Sequence, residues 1–172
     1  MNVVKENGPG ALDNLVLSPE AQAEVDRKKF EKQLEAGREA VKKVLVLAEA
    51  VYLDCCKMDR PELRECAVGI LAPLTEVNEL LKGLDGQDVP AVLTSAVLGT
   101  LKRLKAKAEE AADFGEVRLT DVVTLRQRVL DLGREMFQLY TFIPKPLVPE
   151  LEYGLKRVSD LRLVLLDQEA HF

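Results

Sequence analysis

The sequence predicts an all-α fold, built as an up-and-down antiparallel bundle of four to five helices with a long first helix. Aromatic residues make up only 5% of the 172 residues, and Ala, Leu, Glu, Lys and Arg dominate long stretches. No stretch sustains the alternation of apolar and polar residues that indicates a strand. The links between helical segments are short, which favours antiparallel neighbours. A chain of this length suits one domain, which we expect to cover residues 18–170.

The first helix is expected to begin at Ser18–Pro19–Glu20, where a capping hydroxyl, a proline and an early acid follow one another. Its pattern continues to about Asp59, so at about 1.5 Å per residue it is about twice as long as the later helices. We therefore expect its charged front, residues 18–36, either to project from the core or to end in a break near Gly37. Residues 1–17 are expected to form a flexible tail. The inward positions, at spacings of three and four, are Leu34, Gly37, Val41, Val44, Ala48, Val51 and Cys55.

The second helix is expected to begin at Asp59–Arg60–Pro61–Glu62, a variant of the capping box, and to end at Lys82–Gly83. Pro73 lies inside it, and its ring would meet the carbonyl of Gly69, which favours one kinked helix over two separate helices. Its inward positions are Leu63, Cys66, Ile70, Leu74, Val77 and Leu81.

Three further helices follow. The third opens at Asp88–Val89–Pro90, the fourth is capped at Thr120–Asp121 and ends before Pro144, and the fifth covers about Pro149 to Glu169. The expected inward positions are Leu93, Val97, Leu101, Leu104, Ala108 and Ala111 in the third helix, Val122, Leu125, Val129, Leu132, Met136 and Leu139 in the fourth, and Leu151, Leu155, Val158 and some of Leu161, Val164 and Leu165 in the fifth.

The charge balance argues against two classes of partner. Twenty-nine acidic residues against 24 basic residues give a net charge of -5, which repels phosphate backbones and anionic headgroups. The longest uncharged stretches, Cys66–Thr75 and Val89–Leu101, are shorter than the roughly 18 to 20 residues that a membrane-spanning helix needs. We expect no nucleic-acid partner and no membrane span.

The cysteine count and the N-terminal sequence point to an intracellular, soluble protein. Three cysteines are an odd number, and a chain of this size does not need disulfides, so reduced thiols are expected. The N-terminus lacks the apolar segment of a signal peptide. The cytoplasm, or the interior of an organelle after import, is the expected compartment.

Residues suited to catalysis or metal binding are scarce. The chain has one histidine, His171, and neither a CxxC pair nor a glycine-rich phosphate loop. Cys55, Cys56 and Cys66 flank the turn between the first two helices, and we interpret them as structural thiols. We expect no enzymatic activity, no catalytic residue, no cofactor and no metal.

The predicted function is that of a non-enzymatic protein–protein interaction module, a small adaptor or an accessory subunit of a larger assembly. Partners would be contacted through helix faces and the N-terminal segment. The oligomeric state stays open. The candidate contact residues are an apolar patch, Leu12, Leu15 and Leu17; a basic stretch, Arg27, Lys28, Lys29 and Lys32; and the basic face of the third helix, Lys102, Arg103, Lys105 and Lys107.

Two alternatives belong to other classes. The bundle could bind an apolar small molecule or pigment between its helices. A hydrolase or transferase would need a deep pocket that holds a buried carboxylate or at least two of five side chains, Cys55, Cys56, Cys66, Tyr52 and Tyr140.

A third alternative rests on a resemblance. The segments Ile70–Glu76 and Thr141–Pro149 resemble the Leu-x-Pro and Pro-Lys-Pro segments that punctuate the helical N-terminal domain of the cyclase-associated proteins. Members of that family regulate actin monomers. The resemblance implies a helical-bundle module that associates with actin.

Overall fold

The fold was analysed in a computed structural model of the chain, which describes residues 16–58, 60–111 and 115–172. Over these ranges the chain forms five α-helices and no strand, which confirms the all-α prediction. Two short 3₁₀ turns, Leu139–Thr141 and Lys145–Leu147, connect the last two helices. The helices are α1 (Pro19–Cys56), α2 (Pro61–Leu81), α3 (Val89–Glu110), α4 (Leu119–Gln138) and α5 (Val148–Ala170).

The chain divides into two compact units, Met1–Glu35 and Ala36–Phe172. Helix α1 contributes to both and is helical through Gly37, so of the two alternatives, a projecting front or a break near Gly37, the break is not formed. Pro73 likewise lies within a continuous α2. The first helix is therefore one continuous element of 38 residues.

The starts of the helices follow the capping residues with two exceptions. The Ser18 hydroxyl accepts a hydrogen bond from the Ala21 amide at 3.1 Å, as the sequence predicts for α1. Helix α4 begins one residue earlier than Thr120, and the Asp121 carboxylate accepts a hydrogen bond from the backbone amide of Arg118 at 2.9 Å. Helix α2 has Arg60 at its N-cap without a side-chain capping bond, and Asp59 of the predicted capping box lies outside the described residues.

The second unit is built on four antiparallel helices. An ion pair of 3.2 Å joins Arg60 before the start of α2 to Asp167 near the end of α5. The Arg38 guanidinium donates a hydrogen bond of 2.8 Å from α1 to the Leu81 carbonyl at the end of α2. The first contact joins the beginning of α2 to the end of α5, and the second joins the middle of α1 to the end of α2, as expected for neighbouring helices that run in opposite directions.

Glycines bring α4 and α5 close together. A methyl group built at Gly154 of α5 would lie 2.9 Å from the Met136 side chain, and one at Gly133 of α4 would lie 3.2 Å from Val158. Side-chain-free positions on both helices therefore let the two backbones approach. The two pairs also run in opposite directions along the chain, as antiparallel packing requires.

The core consists of the inward stripes that the sequence predicts for α1, α2, α4 and α5. All six predicted positions of α2 are buried, and Val122, Leu125, Val129, Leu132 and Met136 of α4 are at most 1% exposed. In α5 the buried apolar positions are Leu151, Val158, Leu161 and Leu165, whereas Leu155 and Val164 are half-buried. In α1 they are Val41, Val44, Ala48, Val51, Tyr52 and Cys55.

Helix α3 differs from this pattern. Its predicted inward stripe has six members, but Leu104 is the one residue of α3 that the structure buries, with 0% exposure. Leu93, Val97, Leu101 and Ala108 are half-buried, and Ala111 just after the helix is exposed. The stripe therefore faces inward as predicted except at Ala111, but it is less deeply buried than the stripes of the other helices, because α3 lies at the periphery of the bundle instead of completing its core.

Candidate functional site

The outer face of α3 carries a ridge of exposed residues. Leu98, Lys102 and Lys105 are spaced by four and three residues, so they lie on one face of the helix. All three are exposed, and the apolar side chain of Leu98 is 61% exposed. We call these three residues the α3 ridge. It combines one solvent-facing apolar group with two positive charges.

The basic residues of α3 do not all have the same role. Arg103 forms an ion pair of 2.9 Å with Glu49 of α1 and so links α3 to the bundle. Lys102, Lys105 and Lys107 are exposed and form no ion pair within the ranges that the structure describes. Three of the four predicted contact residues on α3 therefore present charge to solvent, and the fourth is an internal link.

The predicted contact residues near the N-terminus belong to the other compact unit. Leu12 and Leu15 lie outside the described residues, and Leu17 is 47% exposed. Arg27 forms ion pairs along its own helix with Glu24 and Glu31. The hydrogen bond from Arg27 lowers the pKa of the Glu24 carboxyl. Lys28, Lys29 and Lys32 are exposed.

A cleft of about 280 Å³ lies beside the last turns of α1 and α3. Sequence analysis did not predict it. Its apolar surface comes from the ring of Tyr52, from Leu53 and from two alanines, Ala108 and Ala111. Arg64 of α2 lines the same space. We call it the α1–α3 cleft.

Four cations line the α1–α3 cleft, and one carboxylate opposes them. The cations are Lys57, Arg64, Lys105 and Lys107, and the acid is Glu109. None of these four cations forms an ion pair with another described residue. By contrast, Arg60, one turn before Arg64, contacts both Glu62 and Asp167. Among the described residues, the rim of the cleft therefore carries more positive than negative charge, on a chain whose net charge is -5.

Two polar side chains inside the cleft interact with each other. Desolvation by burial raises the pKa of the Cys56 thiol, and the neighbouring Tyr52 hydroxyl and the Arg64 guanidinium partly oppose this effect. Burial also raises the pKa of Tyr52. Since the thiolate is the nucleophilic form of cysteine, the environment works against nucleophilic chemistry at Cys56.

The other two thiols are enclosed. Cys55 is 0% exposed and Cys66 is 7% exposed, and burial raises the pKa of each thiol group. All three cysteines are free thiols. Cys56 is therefore the most accessible of the three and the one that contacts the α1–α3 cleft.

A second cleft of about 370 Å³ lies between the end of α1 and the start of α4. Its charged groups are mostly paired: Arg128 contacts Asp54, and Arg118 contacts Asp121 at 3.7 Å. This polar cleft resembles the other salt-bridged surfaces of the bundle and offers less uncompensated charge than the α1–α3 cleft.

Among the described residues, no group of three or more His, Cys, Asp and Glu side chains is placed to hold a metal ion. None of the helices in those ranges combines the length and the apolar character that crossing a bilayer would require. Comparison of the sequence and the structure with known protein families, curated proteins and solved structures gives no significant match.

Proposed function

We propose that this protein is a non-enzymatic interaction module, an adaptor or accessory subunit of a larger assembly, that binds an acidic segment of a partner protein along α3. The observation that carries the proposal is the position of α3. It is a 22-residue helix that buries one residue and turns Leu98, Lys102 and Lys105 toward solvent. A helix so placed has most of its surface free for contact.

The charges of the ridge select the kind of partner. Lys102 and Lys105 have no carboxylate partner in the described parts of the chain, so a partner carboxylate would not have to displace an internal one. The remainder of this acidic chain repels an acidic partner at a distance and leaves α3 as the favourable approach. Charged rims of this kind act mainly on the association rate and on the choice of partner.

Leu98 supplies the apolar part of the contact. Interfaces gain most of their affinity from a few apolar anchors that lose water completely, surrounded by polar contacts. Leu98 is flanked by small residues, Ser95 and Gly99, which line the same shallow surface and let a partner helix approach closely.

The experiment is affinity capture with the full-length chain. The double substitution Lys102→Glu and Lys105→Glu should abolish recovery of the partner found with the unmodified chain. The matched control is Lys43→Glu with Lys156→Glu, which makes the same change of charge at exposed lysines on α1 and α5. Equal recovery by both double variants would refute the placement of the docking surface on α3.

The resemblance to the cyclase-associated proteins makes an actin monomer one partner to include in this capture. Purified actin monomer should then be retained by the control variant and lost by the α3 variant. If the unmodified chain and both variants all fail to retain actin monomer, actin is not the partner.

A further inference from the structure

We propose that the α1–α3 cleft is a binding site for a small amphiphile that has one anionic head group on a short apolar chain, such as a medium-chain carboxylate. This site differs from the surface that docks a partner along the α3 ridge, although the two share Lys105. It concerns a ligand that enters between helices.

The interior of the cleft favours an apolar chain. Tyr52 contributes the face of an aromatic ring, and Leu53, Ala108 and Ala111 contribute aliphatic surface. The volume of about 280 Å³ lies near the lower end of the range for ligand sites, which is about 300–1,000 Å³. It therefore suits a single short chain and excludes a molecule with two long acyl chains.

The rim favours an anionic head. Arg64 approaches from α2, Lys57 follows the end of α1, and Lys107 occupies the last turn of α3. The carboxyl ends of α1 and α3 carry partial negative charge, and Lys57 and Lys107 offset it. Among the described lining residues, Arg64 and Lys105 then remain in excess over Glu109, which favours an anionic head group.

Arg64 is the residue that we expect to bind the carboxylate of the ligand. Its guanidinium lies close enough to the Tyr52–Cys56 pair to act on both side chains electrostatically. A planar guanidinium without an ion-pair partner in the described chain can bind a carboxylate through two parallel hydrogen bonds. A cationic or neutral head group cannot form this pair of charge-assisted hydrogen bonds with Arg64.

Calorimetric titration of the purified full-length protein with octanoate, hexanoate and butanoate tests the proposal. Each added methylene should tighten binding about fourfold until the cleft is full. Octanol should bind at least tenfold more weakly than octanoate, and octylammonium should bind more weakly still. Equal affinity for octanoate and octylammonium would refute the proposed role of the rim.

Two variants test the location of the site. Ala108→Leu fills the cleft and should abolish octanoate binding, whereas Ala106→Leu, an exposed position of the same helix, should leave it unchanged. Arg64→Gln with Lys107→Gln should weaken octanoate at least tenfold and leave octanol unaffected. These variants leave Lys102 and the shared Lys105 unchanged, so failure of this site and failure of partner docking are separate results.

Cys56 provides an independent reporter. Octanoate should slow alkylation of Cys56 by N-ethylmaleimide in proportion to occupancy, because the thiol lines the same cleft. The Ala108→Leu variant should show no protection by octanoate, and the Ala106→Leu variant should show full protection. Octanoate binding that leaves the alkylation rate of Cys56 unchanged would place the ligand elsewhere and overturn the assignment.

Discussion

The substitution Leu104→Ala should loosen α3 while the four-helix core stays folded. Leu104 is 0% exposed and is the one buried residue of α3 in the described structure. Replacing an enclosed leucine by alanine costs about 2–5 kcal/mol, and the low end applies where the neighbouring element can move into the gap. For an outer helix we expect about 2–3 kcal/mol, which corresponds to roughly 30- to 150-fold in the equilibrium between attached and detached α3.

Native-state hydrogen exchange measures this equilibrium when α3 recloses faster than its opened amides exchange. In the Leu104→Ala variant, the α3 amides should exchange roughly 30- to 150-fold faster than in the unmodified protein. Leu132→Ala in α4 is the matched control, because Leu132 is also 0% exposed. This substitution destabilises the native state and the state with detached α3 equally. Hydrogen exchange should therefore become faster at the amides of α4 and α5 and stay unchanged at the amides of α3.

The Leu132→Ala control shows whether α3 can detach while the rest of the bundle stays folded. If Leu132→Ala accelerates the α3 amides by the same factor as the α5 amides, α3 opens only when the whole bundle unfolds. Helix α3 would then be an integral core helix, and the reasoning from its single buried residue would be refuted.

Two further predictions concern stability measured by urea unfolding. Gly69→Ala should change the free energy of unfolding by less than about 1 kcal/mol, because the new methyl group, 2.5 Å from Nε of Arg157, displaces a flexible side chain while alanine favours the helix over glycine. Gly99→Ala, also within a helix but with no atom within 4 Å of its methyl position, should raise that free energy by about 0.5–1 kcal/mol. Burial and the nearby charge of Glu150 raise the pKa of Glu76, so the folded state binds this proton more tightly than the unfolded state. Stability should therefore fall as pH rises above the unfolded value of 4.5, and Glu76→Gln should stabilise the protein at pH 7 by about 0.5 kcal/mol but not below pH 4. If Glu76→Gln stabilises the protein equally at pH 7 and below pH 4, the raised pKa of Glu76 is not the cause of the stabilisation.

The sequence predicted the burial of the inward face of α4 completely and that of α3 poorly, although both stripes have the same spacing. Periodicity indicates the direction of an apolar face but not how many helices cover it. Leu132 of α4 is fully enclosed, whereas Leu93 and Leu101 of α3 are only half-buried. The number of neighbours follows from how the whole chain packs, which no local pattern specifies.

The α1–α3 cleft could not be predicted for a related reason. Tyr52 and Cys56 are four residues apart, so the sequence places them on one face of α1. That Ala108 lies opposite them, and that Arg64 reaches the same space from α2, depends on contacts between helices distant in sequence. The exposure of Lys102 and Lys105 on the outer face of α3 could be predicted, because it follows from their spacing within one helix.

The internal use of Arg103 is a third example. It lies in the basic run of α3 and was predicted to be a contact residue, but its ion pair partner, Glu49, is 54 positions away on α1. The residues of a basic run are indistinguishable in the sequence, and only the packing of α3 against α1 shows which one is paired.

The claim that α3 is the docking surface is tested most directly by lysine footprinting of the full-length chain, free and bound to its captured partner. Acylation of each lysine is followed by mass spectrometry of peptides. We predict that the partner slows acylation of Lys102 and Lys105 and leaves Lys43 and Lys156 at their free rates. Unchanged rates at Lys102 and Lys105, with protection at Lys43 or Lys156 instead, would contradict the assignment.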